Sequence, residues 1–155
     1  MALTEIPIEL SSTPGIVDNS NATAITIDSS ENVGIGMTPS AWHANWTALQ
    51  LGATGFVGQY QAGATDITAL GSNVFSDGAY KYIETDEAVM YKQQNGEHIF
   101  DVAASGSANA AISWTTALTI NNTGNVGIGR SSNIDYLLDV QKPADAYIRI
   151  SSSTT

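Results

Sequence analysis

The chain has 155 residues, with 15 acidic against 5 basic side chains, a formal charge of −10 and no cysteine. So acidic a balance repels phosphate backbones and anionic headgroups, which sets nucleic acid and membrane insertion aside, and the lack of Cys removes disulfides and thiolate metal sites. Charged residues are 13% of the chain, about half the ~25% usual in globular domains, and the hydrophobic share leans on Ala amid Gly, Ser, Thr and Asn. That composition suits thin sheets rather than a thick core or salt-bridged helices.

Met1 to Leu10 has no basic start and no unbroken apolar run, so it is neither a signal peptide nor a membrane span of about 20 residues. Ile6, Ile8 and Leu10 share one face of an extended strand with Leu3 leading in, and Pro7 suits an edge position. A strand with such a stripe can add to another protein's sheet, so Leu3, Ile6, Ile8 and Leu10 are the candidate attachment residues. Residues 1–21 form the N-terminal segment.

The strongest internal signal is a repeat. Thr23-Ala24-Ile25-Thr26-Ile27 and Asn32-Val33-Gly34-Ile35-Gly36 recur as Thr116-Ala117-Leu118-Thr119-Ile120 and Asn125-Val126-Gly127-Ile128-Gly129. Period-two alternation around a four-residue polar connection predicts a β-hairpin in each copy. Gly34 and Gly36, like Gly127 and Gly129, leave one strand face bare, which suits either another backbone or chain packing closely there or a twisted or bulged edge strand. After a variable loop each copy returns to an alternating run, Ala48 to Leu51 or Leu137 to Val140. In the first loop, Pro39 to Trp46 is the one helix candidate, with Trp42 and Trp46 four apart.

A middle unit lies between the copies. Its two-residue Asn95-Gly96 connection predicts a type I′ hairpin, because both positions need positive φ. That register pairs Gln94 with Glu97 and sets Tyr91 opposite Phe100. Gly96→Val is accordingly expected to lower the melting temperature more than Gly106→Val. The units divide the chain into residues 22–72, 73–115 and 116–155, the last ending in an alternating run and a polar tail that look like the front of something longer.

Enzymatic motifs fail in detail. Gly34-Ile35-Gly36 lacks the third glycine and the helix of a dinucleotide fingerprint, and His43 and His98 have no second ligand at metal-site spacing. Glu84, Asp86 and Glu87 are the densest acidic cluster; they suit a solvated turn, with Ca²⁺ binding or glycosidic cleavage as the alternatives. Trp42, Trp46, Tyr60, Tyr80, Tyr82 and Trp114 offer flat amphipathic faces for a glycan, or packing within and between subunits.

Ala24 to Gly36 with its second copy, the Leu138-Asp139-Val140 strand, and the middle unit from Asn73 through Asn95-Gly96-Glu97-His98 to Ile112-Ser113-Trp114 resemble the repetitive modules of marine-type tailed-phage tail fibres. The resemblance covers about residues 22 to 142. It implies an all-β protein of short hairpins and small sheets in an elongated, intertwined homotrimeric fibre, without enzymatic activity or cofactor. The protein would be made in the host cytoplasm and mounted on the virion, docked to the tail or an adaptor protein by its N-terminus, and would support attachment to a host-surface glycan or protein. A capsid-mounted fibre or decoration protein and a polysaccharide-degrading tailspike are the alternative readings.

Overall fold

The computed structural model describes residues 24–141, and Met1 to Leu10 lies outside them. Among the described residues there is no helix and the chain is all-β. The strands are β1 (Ile25–Ile27), β2 (Val33–Ile35), β3 (Trp46–Leu51), β4 (Gly55–Ala62), β5 (Thr65–Ser72), β6 (Phe75–Ser76), β7 (Tyr80–Lys81), β8 (Asp86–Gln94), β9 (Glu97–Gly106), β10 (Thr115–Ile120), β11 (Val126–Ile128) and β12 (Leu138–Val140). Ten of them form one mixed sheet in the order β1-β2-β3-β4-β5-β8-β9-β10-β11-β12, with β6 and β7 as a separate pair. The small separate sheets expected from the hairpins are thus merged. The reason is β5 pairing directly with β8, Leu70 opposite Tyr91, which carries the ladder past the intervening residues.

Both copies of the repeat fold alike. In each the hairpin forms as expected, Ile27 opposite Val33 and Ile120 opposite Val126. The following run then returns parallel to the second hairpin strand, with Val33 opposite Leu49 and Val126 opposite Leu138. The crossover between them lies over one face of the sheet, and the glycines make room for it. A Cβ on Gly34 would collide with the Met37 carbonyl and stand 2.9 Å from the Pro39 ring, and one on Gly127 would stand 2.7 Å from Ile134 Cδ1. What packs against these two glycines is therefore the chain's own crossover, backbone at Gly34 and chiefly the Ile134 side chain at Gly127. Gly36 and Gly129 have φ of 73° and 68°, where the chain leaves the strand through the left-handed region that favours glycine.

Residues 39–46 are not helical: the crossover is irregular, closes in a turn at Ala44 and Asn45, and Trp46 already belongs to β3. The fully buried Gln50 decides this. Its Oε1 accepts the Ser40 amide at 2.9 Å and Trp42 Nε1 at 3.3 Å, and its Nε2 donates to Ser40 Oγ at 3.2 Å. These bonds outweigh what one helical turn without a completed hydrogen-bond ladder supplies. In the second copy the matching position is Asp139, which instead holds its crossover through Arg130, with Nη1 3.2 Å from Oδ2.

The core lies on the face covered by the crossovers and by the connection between β5 and β8. Trp42, Trp46, Phe56, Ala69, Val74 and Met90 form its main cluster, and Tyr82, Ala88 and Ala103 a second. Asn73 anchors the β5–β8 connection from a left-handed turn with φ 59°. Its Oδ1 accepts the Glu84 amide at 2.7 Å, while its Nδ2 donates to the carbonyls of Glu84 and Glu87. One buried charge is balanced on this face as well: the half-buried Lys92 Nζ lies 2.8 Å from Asp101 Oδ2, and Thr116 donates to Asp101 Oδ1 at 2.7 Å.

Candidate functional site

Two surfaces of the sheet carry chemistry. On the covered face, Trp42 meets Trp46 at 5.4 Å and Phe56 at 4.8 Å, Trp46 meets Tyr60 at 5.5 Å, and Tyr80 links Trp46 to Trp114 at 6.2 and 6.1 Å. The structure thus brings together five of the six aromatic residues singled out by sequence, places Tyr82 in the second cluster, and adds Phe56. Trp42 and Trp46 are 6% and 3% exposed. Their faces are spent on one another and on Phe56, so they are packing groups rather than a platform for a sugar; Tyr60 and Trp114 are half-buried against the same cluster.

A cleft of about 230 Å³ opens beside this cluster, lined by His43, Trp46, Tyr60, Ile67, Ser76 and Tyr80. Burial, followed by the nearby Asp101 and Tyr60, pushes the Tyr80 hydroxyl up to about 12, so it stays protonated. His43 Nδ1 accepts the Asn45 amide at 3.2 Å, and the His43 amide donates to the Ser76 carbonyl at 2.6 Å. His43 and Ser76 are joined through the backbone, which is not the side-chain pairing a nucleophile and its base require.

Glu84 precedes β8, Asp86 and Glu87 begin it, and all three are exposed. The side chain and amide of Glu87 hydrogen-bond Asp86 and hold its carboxyl below the usual range. What organises this stretch is Asn73 bonding to its backbone, with the carboxylates turned to solvent. Among the described residues, no group of three His, Cys, Asp or Glu is placed to hold a metal ion.

The opposite face of the sheet has no covering layer among the described residues, and two of its rows are apolar, beside a polar one through Thr47, Gln59, Thr68, Gln93 and His98. The ladder register places Ile27, Val33, Leu49, Val57 and Leu70 in one row across β1 to β5. The same row continues through Tyr91, Phe100, Leu118, Ile128 and Val140 on the remaining strands. It crosses all ten strands without a polar interruption other than the Tyr91 hydroxyl. A neighbouring row holds Ile25, Ile35, Leu51, Val89 and Val102, with Gly55 and Ser72 at its centre. Every large hydrophobic side chain exposed among the described residues, apart from Tyr136 and Leu137, lies on this face.

Sequence reasoning missed this surface, although β8 carries its signal. Ala88-Val89-Met90-Tyr91 is apolar in both phases of the alternation, the pattern of a strand with two faces to bury. Ala88 and Met90 are taken up by the core, while Val89 remains 48% exposed.

No protein-family model, curated protein or solved structure matches the chain.

Proposed function

We propose that the chain is a structural segment of a phage tail fibre. Three copies associate, residues 1–21 dock onto the tail or an adaptor protein, and the sheet modules form a shaft that supports attachment to the host surface. The segment binds and positions; it catalyses nothing. The observation that carries this reading is the pairing of one self-covered face with one apolar face left open across ten strands, which suits a subunit whose fold is completed by assembly. The repeated hairpin and parallel-return unit supports it further, since an elongated shaft is readily built by repeating such a unit. Neither the exposed Glu84, Asp86 and Glu87 nor the His43 cleft supplies the paired carboxylates of a glycan-cleaving spike.

Virions labelled with antibody against residues 24–141 test the location: gold should mark the tail appendages, and labelling of the capsid alone, or of nothing, overturns the assignment. Removal of Met1 to Leu10 tests the docking segment. The truncated protein should still assemble and should be absent from particles; normal incorporation refutes the anchoring role.

A further inference from the structure

The geometry points to the open apolar face as the surface through which copies of this chain pack on one another, sheet against sheet. This deepens the fibre reading, from which it takes only the number of copies. Its observations are the row through Leu49, Val57, Leu70, Tyr91, Phe100 and Leu118 and the parallel row beside it.

Area favours another copy as the occupant. The exposed hydrophobic side chains of this face, at roughly 80 Å² apiece, present on the order of 900 Å² per copy, which meets the ~800 Å² per partner of a stable interface. The ten strands span about 43 Å at the usual ~4.8 Å spacing. Residues 1–23 and 142–155 hold ten large apolar side chains, but these are split seven and three between two separate stretches rich in Ser, Thr and Asn. They are a poor chemical match for a surface of that extent, whereas the face of a second copy matches it in size and character, and apolar sheet faces pack on one another about 10 Å apart.

Charge points the same way. Each copy carries a net charge of −10, so self-association through a charged surface would be opposed by repulsion. Neither of the two rows contains Asp, Glu, Lys or Arg. Charge is thus kept off the two rows through which like-charged copies would meet, with Asp66 on the same face toward the start of β5.

The absence of native cysteine allows a clean test on the full chain. Leu70→Cys places a thiol at the centre of the face, and Ala64→Cys places one in the exposed turn between β4 and β5. Light scattering should give an oligomeric mass, and the Leu70→Cys thiol should react with a soluble thiol reagent on the order of tenfold more slowly than the Ala64→Cys thiol, since access controls the rate. Leu70→Glu should give a folded monomer with an unchanged far-ultraviolet β spectrum. A monomeric wild type overturns the inference, and if its Leu70→Cys thiol is shielded, the chain's own ends cover the face. An oligomer in which both thiols react equally fast overturns it too, by placing assembly on another surface. That last result leaves the tail-fibre location standing, because microscopy of the virion tests it separately. If Leu70→Glu fails to fold, the two cysteine variants still decide.

Discussion

At the scale of single residues, the two copies of the repeat act as each other's control. Their hairpin turns have the same backbone bonds, from the Glu31 amide to the Asp28 carbonyl at 3.1 Å and from the Gly124 amide to the Asn121 carbonyl at 2.9 Å. The fourth turn residue is left-handed in both, φ 64° at Glu31 and 86° at Gly124. A side chain there costs about 1 to 2 kcal/mol, partly offset by the greater chain entropy that glycine loses on folding. Glu31→Gly should therefore stabilise the protein by about 0.5 to 1 kcal/mol in denaturant titration; a loss of stability would show that the Glu31 side chain makes a compensating contact. The ranking of two other glycines is reversed from the expectation drawn from turn chemistry. Gly96 has φ 79° and a Cβ there would meet only Asn122 Cβ at 3.2 Å, but a Cβ on Gly106 would enter the ring of Tyr82. That ring is buried and fixed by its hydroxyl donating to the Ala104 carbonyl at 2.6 Å, so it has little room to yield. Gly106→Val should cost roughly 3 kcal/mol or more through overpacking and Gly96→Val about 1 to 2 through backbone strain. Melting temperatures in the opposite order would show that Tyr82 moves aside.

Among the elements, hairpins were the legible part. Gln94 pairs with Glu97 and Tyr91 with Phe100, their rings 4.8 Å apart, as the turn chemistry of Asn95 and Gly96 required. The parallel return of β3 and β12 was not legible, because a parallel pair is made by a crossover and not by a turn whose residues announce it. The first and second turns also differ in a way that acid should reveal. Asp28 accepts the amides of Ser30 and Asn32 at 2.8 and 2.9 Å and the Asn32 side chain at 3.0 Å. Burial raises the Asp28 carboxyl, but the bonds from Asn32 and Ser30 outweigh it and hold the group below its ordinary value. A group depressed in the folded state stabilises it above the unfolded pKa, and that contribution is lost as pH falls through the folded one. Asn121 makes the corresponding bonds to Thr123 and Asn125 without a titrating group. Amide exchange at Ser30 and Asn32 should accelerate, relative to Thr123 and Asn125, as pH falls below about 4 once intrinsic rates are corrected. Asp28→Asn should abolish the difference, and equal protection in the unsubstituted protein at all pH values would deny Asp28 this role.

For the molecule as a whole, the proposed face-to-face assembly ties folding to concentration. A sheet with one face covered by its own loops gains the rest of its apolar burial only by association, so unfolding of the assembled form should depend on mass action. Raising protein concentration a hundredfold is expected to raise the melting temperature by several degrees, the shift expected when association supplies a few kcal/mol to a domain of this size. A melting temperature independent of concentration would mean that the described sheet is stable alone.

The sequence by itself determined the all-β character, the repeat and its hairpins, and the register of the middle hairpin, because each rests on local chemistry: period-two alternation, residues that accept positive φ, and side chains that cap their own turns. It also located Trp42, Trp46, Tyr60 and Trp114, without saying that Gln50 would bind Trp42 and close the loop over them. Tertiary structure alone decided that the units share one ten-stranded sheet, that Gly34 and Gly127 make room for the chain's own crossovers, and that ten apolar positions from Ile27 to Val140 line up in one row. Those outcomes depend on which strands meet across long sequence separations. Alternation tells which residues share a face of their own strand, but only the ladder between strands such as β5 and β8 tells which of those faces adjoin and which of them the described residues leave uncovered.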